Sequence, residues 1–175
     1  MSSFHAMMSI GALVLLTTIL MGYNQRTAMS ALDITRAKEA QAMTALGSSY
    51  IEFAQGLAYD RYSDTASVAP GNASLFTPSA SLGPDGGAED TLTSFNDFDD
   101  LNGYQLDRTG PDAKGYRALF NVRYVLPGDV NAYTSNKTFS KRLDIKLWRI
   151  NPPFHGADKA DTVRLHYVMG YFLFE

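Results

Sequence analysis

The chain has 175 residues, a formal net charge of −3 and no cysteine. That length suits one modest domain with an appendage. The small net charge lacks the basic excess of a general nucleic-acid binder, and the missing thiols exclude a disulfide framework, a thiol nucleophile and a zinc–thiolate site.

Charge is unevenly placed. Residues 1–25 hold no Lys, Arg, Asp or Glu. The run 6–21, AMMSIGALVLLTTILM, extended by Gly22 and Tyr23, approaches the ~20 residues needed to cross a ~30 Å hydrocarbon core. The hydroxyls of Ser9, Thr17 and Thr18 are expected to bond back to helix carbonyls, which lipid tolerates. Ile10, Leu13, Val14, Leu16, Ile19 and Leu20 supply the apolar surface expected to meet lipid or other helices. A cleavable signal would carry a basic n-region and a small-residue cleavage site. Met-Ser-Ser-Phe-His and the following YNQRTAMSALD show neither. Arg26, Arg36 and Lys38 follow the segment, which by the positive-inside rule places the rest of the chain in the cytoplasm. Removal of a basic leader close to Met1 would reverse that orientation, and the residues leave both readings open.

From residue 23 to 59 there is no proline, and Ala, Met, Leu, Gln, Glu and Lys are frequent. All favour helix. Leu46, Tyr50, Phe53, Ala54, Leu57 and Ala58 recur at helical spacing and form an apolar stripe. Upstream, Ala28, Ala31, Ala37, Ala40, Ala42 and Ala45 make a small-residue surface that lets helices approach closely. Gly11, Gly22, Gly47 and Gly56 are points of weakness or close contact. One helix over residues 4–59 is expected, about 80 Å long at a rise of 1.5 Å per residue.

Residues 60–87 are rich in Ser, Ala, Pro and Gly, a loop composition. Leu75, Phe76 and Leu82 are the side chains expected to tack this loop to a surface. Residues 89–103 (EDTLTSFNDFDDLNG) are acidic, with Phe95, Phe98 and Leu101 interleaved. Three strands are predicted, at 116–126, 141–150 and 162–174. In the second, Leu143, Ile145 and Leu147 alternate with Arg142, Asp144 and Lys146; in the third, Val163, Leu165 and Tyr167 alternate with Arg164 and His166. Short turn-rich connections favour an antiparallel meander whose apolar face needs a cover, and the stripe over residues 46–58 provides one. The expected fold is α+β: a long N-terminal apolar α-helix over 1–59, a variable loop over 60–94, and a small antiparallel β-sheet head over 95–175 packed on the helix's C-terminal half. Leu46, Tyr50, Phe53 and Leu57 are the expected packing residues.

Little in the sequence carries catalytic chemistry. Asp97, Asp99 and Asp100, with Asn102 and Gly103, offer oxygen ligands of the kind calcium prefers. Leu101 interrupts the D-x-[DN]-x-[DN]-G spacing, so a solvated acidic turn with Phe95 and Phe98 packed inward is the competing reading. His5, His155 and His166 lie far apart and form no H-x-x-x-H pair. No nucleophile elbow, phosphate-binding glycine loop or paired-acid signature is present. The expectation is therefore no enzyme, no cofactor and no metal beyond the incomplete calcium cluster. Asn72 and Asn136 begin N-x-[ST] sequons.

The layout resembles a type IV pilin or pseudopilin. SYIEFAQGLAYDRYSDT is similar to the helix end and following segment of the subset related to mannose-sensitive haemagglutinin pilins. Residues 95–103, FNDFDDLNG, resemble that subset's "FDDxDDYNG" element, and Phe139-Ser140-Lys141-Arg142 resembles its "YKRI" strand. The basic leader and Phe-Thr-Leu-x-Glu start of typical prepilins are not found, and counting from Met1, His5 stands where the usual Glu would. The resemblance implies a structural subunit of a pilus-like filament or secretion pseudopilus. Its partners would be itself, as a helical homopolymer, or other pilin-like subunits, with no nucleic acid. It would sit in the bacterial inner membrane before assembly and in an extracellular filament or periplasmic pseudopilus afterwards. The alternative is a single-pass membrane-anchored envelope protein whose β head binds a ligand or partner.

Overall fold

The computed structural model describes residues 3–65, 67–69, 71–86, 89–110, 112–151 and 162–172. The end of the third predicted strand (173–174) and His155 lie outside the described residues. The chain divides into two compact units, Met1–Glu39 and Ala40–Glu175.

Helix α1 spans Ser3–Gln55. Its residues in the first unit are almost wholly exposed. Ser9, Thr17 and Thr18 each donate to the carbonyl four residues earlier, on His5, Leu13 and Val14, at 2.8–2.9 Å. Their polar groups are thus satisfied within the helix.

In the second unit, the last turns of α1 cover a five-stranded antiparallel sheet. The strands are β1 (Gln105–Thr109), β2 (Gly115–Leu126), β3 (Asp129–Tyr133), β4 (Ser140–Asn151) and β5 (Thr162–Gly170). The order is β1-β2-β4-β5, with β3 on β2. Alternation sets the register. Ala118, Phe120 and Val122 oppose Leu147, Ile145 and Leu143, and these oppose Val163, Leu165 and Tyr167. One face therefore collects the apolar side chains. Ala42, Met43, Tyr50 and Ala54 bury against that face, with Leu46, Ile51, Phe53 and Leu57 half-buried around them. Tyr50 meets Phe120 edge to face at 5.3 Å between ring centroids. The expected α+β fold, with the helix as cover of the sheet, is what the structure contains.

Four local features differ from the sequence expectations. The helix ends at Gln55, not residue 59. Gly56 and Leu57 donate to Phe53 and Ala54 in tightened i→i−3 bonds. Ala58 then leaves the helix: its N–H donates to Asn96 O at 3.3 Å and its carbonyl accepts from Phe98 N–H at 2.9 Å. Capture of that backbone by the acidic turn ends the helix early.

Second, β1 and β3 lie outside the three predicted strands, β3 within a connection read as turn-rich. Both are short, polar and exposed, and both exist because β2 has an edge to fill: β1 by the register of Gln105 on Leu119, β3 through the turn at Pro127 and Gly128. Neither shows the apolar alternation from which a strand is read. Third, residues 60–94 contain a short helix, α2 (Arg61–Thr65), and three-residue helical turns at Ala73–Leu75 and Ser79–Ser81. Finally, Phe76, Leu82 and Val68 do bury, in a second cluster with Tyr59 and Tyr124, whereas Leu75 faces outward.

Gly47 marks a close approach of helix and sheet. A Cβ there would overlap Leu165 Cδ1 and press on Leu147 Cδ1 at 3.1 Å, whereas Gly11 and Gly22 have open space around them. Gly47→Val is expected to destabilise the head by about 1–3 kcal/mol through overpacking. Gly11→Val should leave head unfolding unchanged. Urea unfolding followed by tyrosine and tryptophan fluorescence on the full-length protein in detergent checks both.

Candidate functional site

Two constructions stand out. The first is the exposed surface of α1 in the first unit. Ile10, Leu13, Val14, Leu16, Ile19 and Leu20 are between 53% and 67% exposed. An 18-residue window has mean hydropathy 1.9 and none of it is buried. By length and composition this helix is able to cross a membrane. Gly22 opens a notch lined by Thr18, Ile19, Tyr23 and Arg26. Further along, Ala28, Ala31 and Ala37 present an exposed surface of small side chains.

The second is a buried polar cluster. Lys141 lies on β4 in phase with Leu143, Ile145 and Leu147, so its side chain enters the core face, where it is wholly buried. Its Nζ donates to Asp99 Oδ1 at 2.6 Å, Asp60 Oδ2 at 2.8 Å and the Tyr59 carbonyl at 2.9 Å. The Tyr59 and Tyr124 rings complete the cage, with centroids 4.6 and 5.4 Å from Nζ. An ammonium removed from water is tolerated only with partners of this kind.

The carboxylates are held from three directions. Asp60 follows the end of α1 and accepts from Tyr62 N–H, Thr77 N–H and the Thr77 hydroxyl. Asp99 sits in the acidic turn. Asp97 Oδ1 accepts the Asp99 and Asp100 N–H groups, and Asp100 Oδ2 accepts those of Asn96 and Asp97. Thr77 is tied again through its carbonyl, which accepts from the Tyr124 hydroxyl at 2.8 Å. One ammonium thus joins the helix exit, the long loop, the acidic turn and the sheet.

The expected solvated turn is in fact buried: Asp97, Asp99 and Asp100 are each 1% exposed. Phe95 and Phe98 pack inward in the main core. Among the described residues no group of three or more metal-ligating side chains is placed to hold an ion. The calcium candidates Asp97, Asp99 and Asp100 are instead spent on backbone N–H groups and on Lys141 Nζ.

Four buried carboxyls face one ammonium, an excess of negative charge in a dry site. Burial first, and then the neighbouring Asp99 carboxylate, pushes the Asp97 carboxyl up to about 8. Burial also raises Asp99, which Lys141 opposes, and Asp100, which its backbone N–H donors oppose. Asp97 Oδ2 and Asp100 Oδ1 accept no donor. A proton on Asp97 relieves both problems: it removes a charge and turns a bare acceptor into a donor toward Asp99.

Leu46, Phe53 and Leu57 are half-buried against the main core, and Tyr50 lies within it. His166 is exposed on β5, opposite Asp144. Lys141 and Asp60 belong to no catalytic or metal-ligating motif in the sequence. The signal for Lys141 was present: it shares the inward phase of Leu143, Ile145 and Leu147, and a charge in that phase demands a buried partner. Asp60 carried no such pattern, because its burial depends on the fold of residues 60–94.

No family model, curated protein or solved structure matches the chain. The long apolar N-terminal helix and antiparallel sheet are compatible with a pilin-like architecture.

Lys141→Met is expected to destabilise the head by about 3–5 kcal/mol, because Asp60 and Asp99 are left buried without their cation. Combining it with Asp60→Asn and Asp99→Asn should restore part of the loss. Thermal unfolding by near-ultraviolet circular dichroism measures both, and equal losses in the single and triple variants would refute the account.

Proposed function

We propose that this protein is a structural subunit of a pilus-like filament or secretion pseudopilus, assembling through α1 with copies of itself or with similar subunits. The observation that carries the reading is the exposed apolar surface of α1, whose helix does not stop at membrane length. An anchor needs only ~20 residues. Here α1 continues through a small-residue stretch around Ala28, Ala31 and Ala37 and into the turns that cover the sheet. Exposed in water, each large side chain would forgo about 1.5–3 kcal/mol of burial. Lipid supplies that burial before assembly, and neighbouring helices supply it afterwards. Between helices in lipid the gain comes from close packing, which small residues permit.

On this reading the protein resides in the bacterial inner membrane before assembly and in an extracellular filament or periplasmic pseudopilus afterwards. The head is the part displayed, and it has a structural rather than catalytic role.

A specific observation favours a second reading, in which α1 is only an anchor and the head binds a ligand. On the open face of the sheet, Arg123 and Arg142 stand opposite each other and share the Asp144 carboxylate, and next to them Lys146 opposes Arg164. Like charges directly opposite on a sheet are destabilising, and an anionic ligand would relieve them.

Ala31→Trp separates the two readings. It should leave membrane insertion and head unfolding as in the wild type but abolish filaments seen by negative-stain electron microscopy of the cell surface and of sheared material. Wild-type protein found only as dispersed monomers in the membrane would sink the filament reading.

A further inference from the structure

The buried cluster holds the parts of a condensation reaction, a use separate from any assembly through α1. The geometry points to an intramolecular isopeptide bond between Lys141 Nζ and the side-chain carboxyl of Asp99. An amide forms from an amine and a carboxyl when the two are held in contact, when an acid protonates the carboxyl oxygen, and when bulk water is kept out. Each condition has a named residue. Lys141 Nζ lies 2.6 Å from Asp99 Oδ1, and their side chains are 0% and 2% exposed. The tyrosine rings of residues 59 and 124 wall the amine. Asp97, 1% exposed, has a carboxyl oxygen with no donor of its own and is hydrogen-bonded to Asp99 through its other oxygen and the Asp99 N–H.

Asp60 also touches Lys141, but it is the poorer acyl partner. Its two oxygens accept from Tyr62 N–H and from both the N–H and hydroxyl of Thr77, besides the ammonium. Those donors engage both of its oxygens, and at 2.8 Å from Nζ the group is placed to take a proton from the nitrogen rather than to be attacked at carbon. The Asp99 side chain accepts from Lys141 and faces the acid, Asp97.

The step balances without a co-reactant. Asp60 takes one proton from the Lys141 ammonium, leaving a neutral amine. Asp97 gives its proton to the Asp99 carboxylate. The amine nitrogen bonds to Asp99 Cγ, and a carboxyl oxygen leaves. It departs as water, carrying the proton held by Asp60. The second proton lost by nitrogen returns to Asp97. The sum is one ammonium and one carboxylate giving one amide and one water, with no change of oxidation state. The product links the acidic turn to β4 covalently and leaves Asp60 and Asp97 to hydrogen-bond the new amide.

Intact-mass spectrometry of the denatured full-length protein tests this directly. The expected mass is lower than that of the sequence by one water, and tandem spectra of a digest should show a branched peptide joining residues 99 and 141. Lys141→Arg keeps a buried cation but offers no primary amine, and should return the full sequence mass. Asp97→Asn keeps both reacting groups and should leave most of the chain unlinked at equal age. Wild-type protein at the full sequence mass with only linear peptides overturns the proposal. So does a lost water that maps to any residues other than 99 and 141.

Discussion

Lys141 stands at a position where alternation requires an inward side chain, and its ammonium has no route to water. A lone ion there would cost several kcal/mol, so every element that touches it is obliged to bring an oxygen. The end of α1 brings the Tyr59 carbonyl and Asp60, and the acidic turn brings Asp99. Asp60 in turn accepts the backbone and hydroxyl of Thr77 in the long loop. Four segments far apart in the chain are thereby fixed on one atom. The helix exit, the burial of Phe76 and the path of the acidic turn follow from it.

This constraint also explains why a calcium-like cluster of aspartates holds a different cation. The acidic turn spends its oxygens on its own backbone N–H groups and on an ammonium delivered by the sheet. A lysine can play that part only because the site is dry and the tyrosine rings of residues 59 and 124 offer their faces to the charge. The same dryness leaves more carboxyls than the ammonium can balance. Charge pressure in the site is relieved by holding a proton on Asp97, and that proton is what makes the cluster chemically suggestive rather than merely cohesive.

The helix divides its work by composition. Where it carries Ile, Leu and Val on all sides, those side chains are exposed. Where it carries a stripe, the sheet covers that stripe and Gly47 permits the close fit. A helix apolar all round calls for lipid or partner helices, whereas a striped one calls for a single surface. The head's apolar stripe is buried within its own unit, whereas the large apolar side chains of the first unit are exposed.

The elements with strong periodicity are legible in the residues alone. Residues 6–21 read as an apolar helix, and the alternation of Leu143, Ile145 and Leu147 against Arg142, Asp144 and Lys146 reads as a half-buried strand. The helix stripe and the sheet's need for cover made the α+β packing readable before any coordinates. Tertiary structure decided what lacks a local signature. β1 and β3 are polar segments that become strands because an edge of β2 is there to pair them. The helix stops at Gln55 because Ala58 is drawn to residues about forty positions later. Asp97 and Asp99 read as calcium ligands or a solvated turn and Asp60 as part of a loop, yet all three are buried, Asp60 and Asp99 against the Lys141 ammonium that arrives from the sheet. Periodicity reports how each residue faces along its own element, whereas the burial of a charge is set by a partner distant in sequence, and that partner is chosen only when the chain folds.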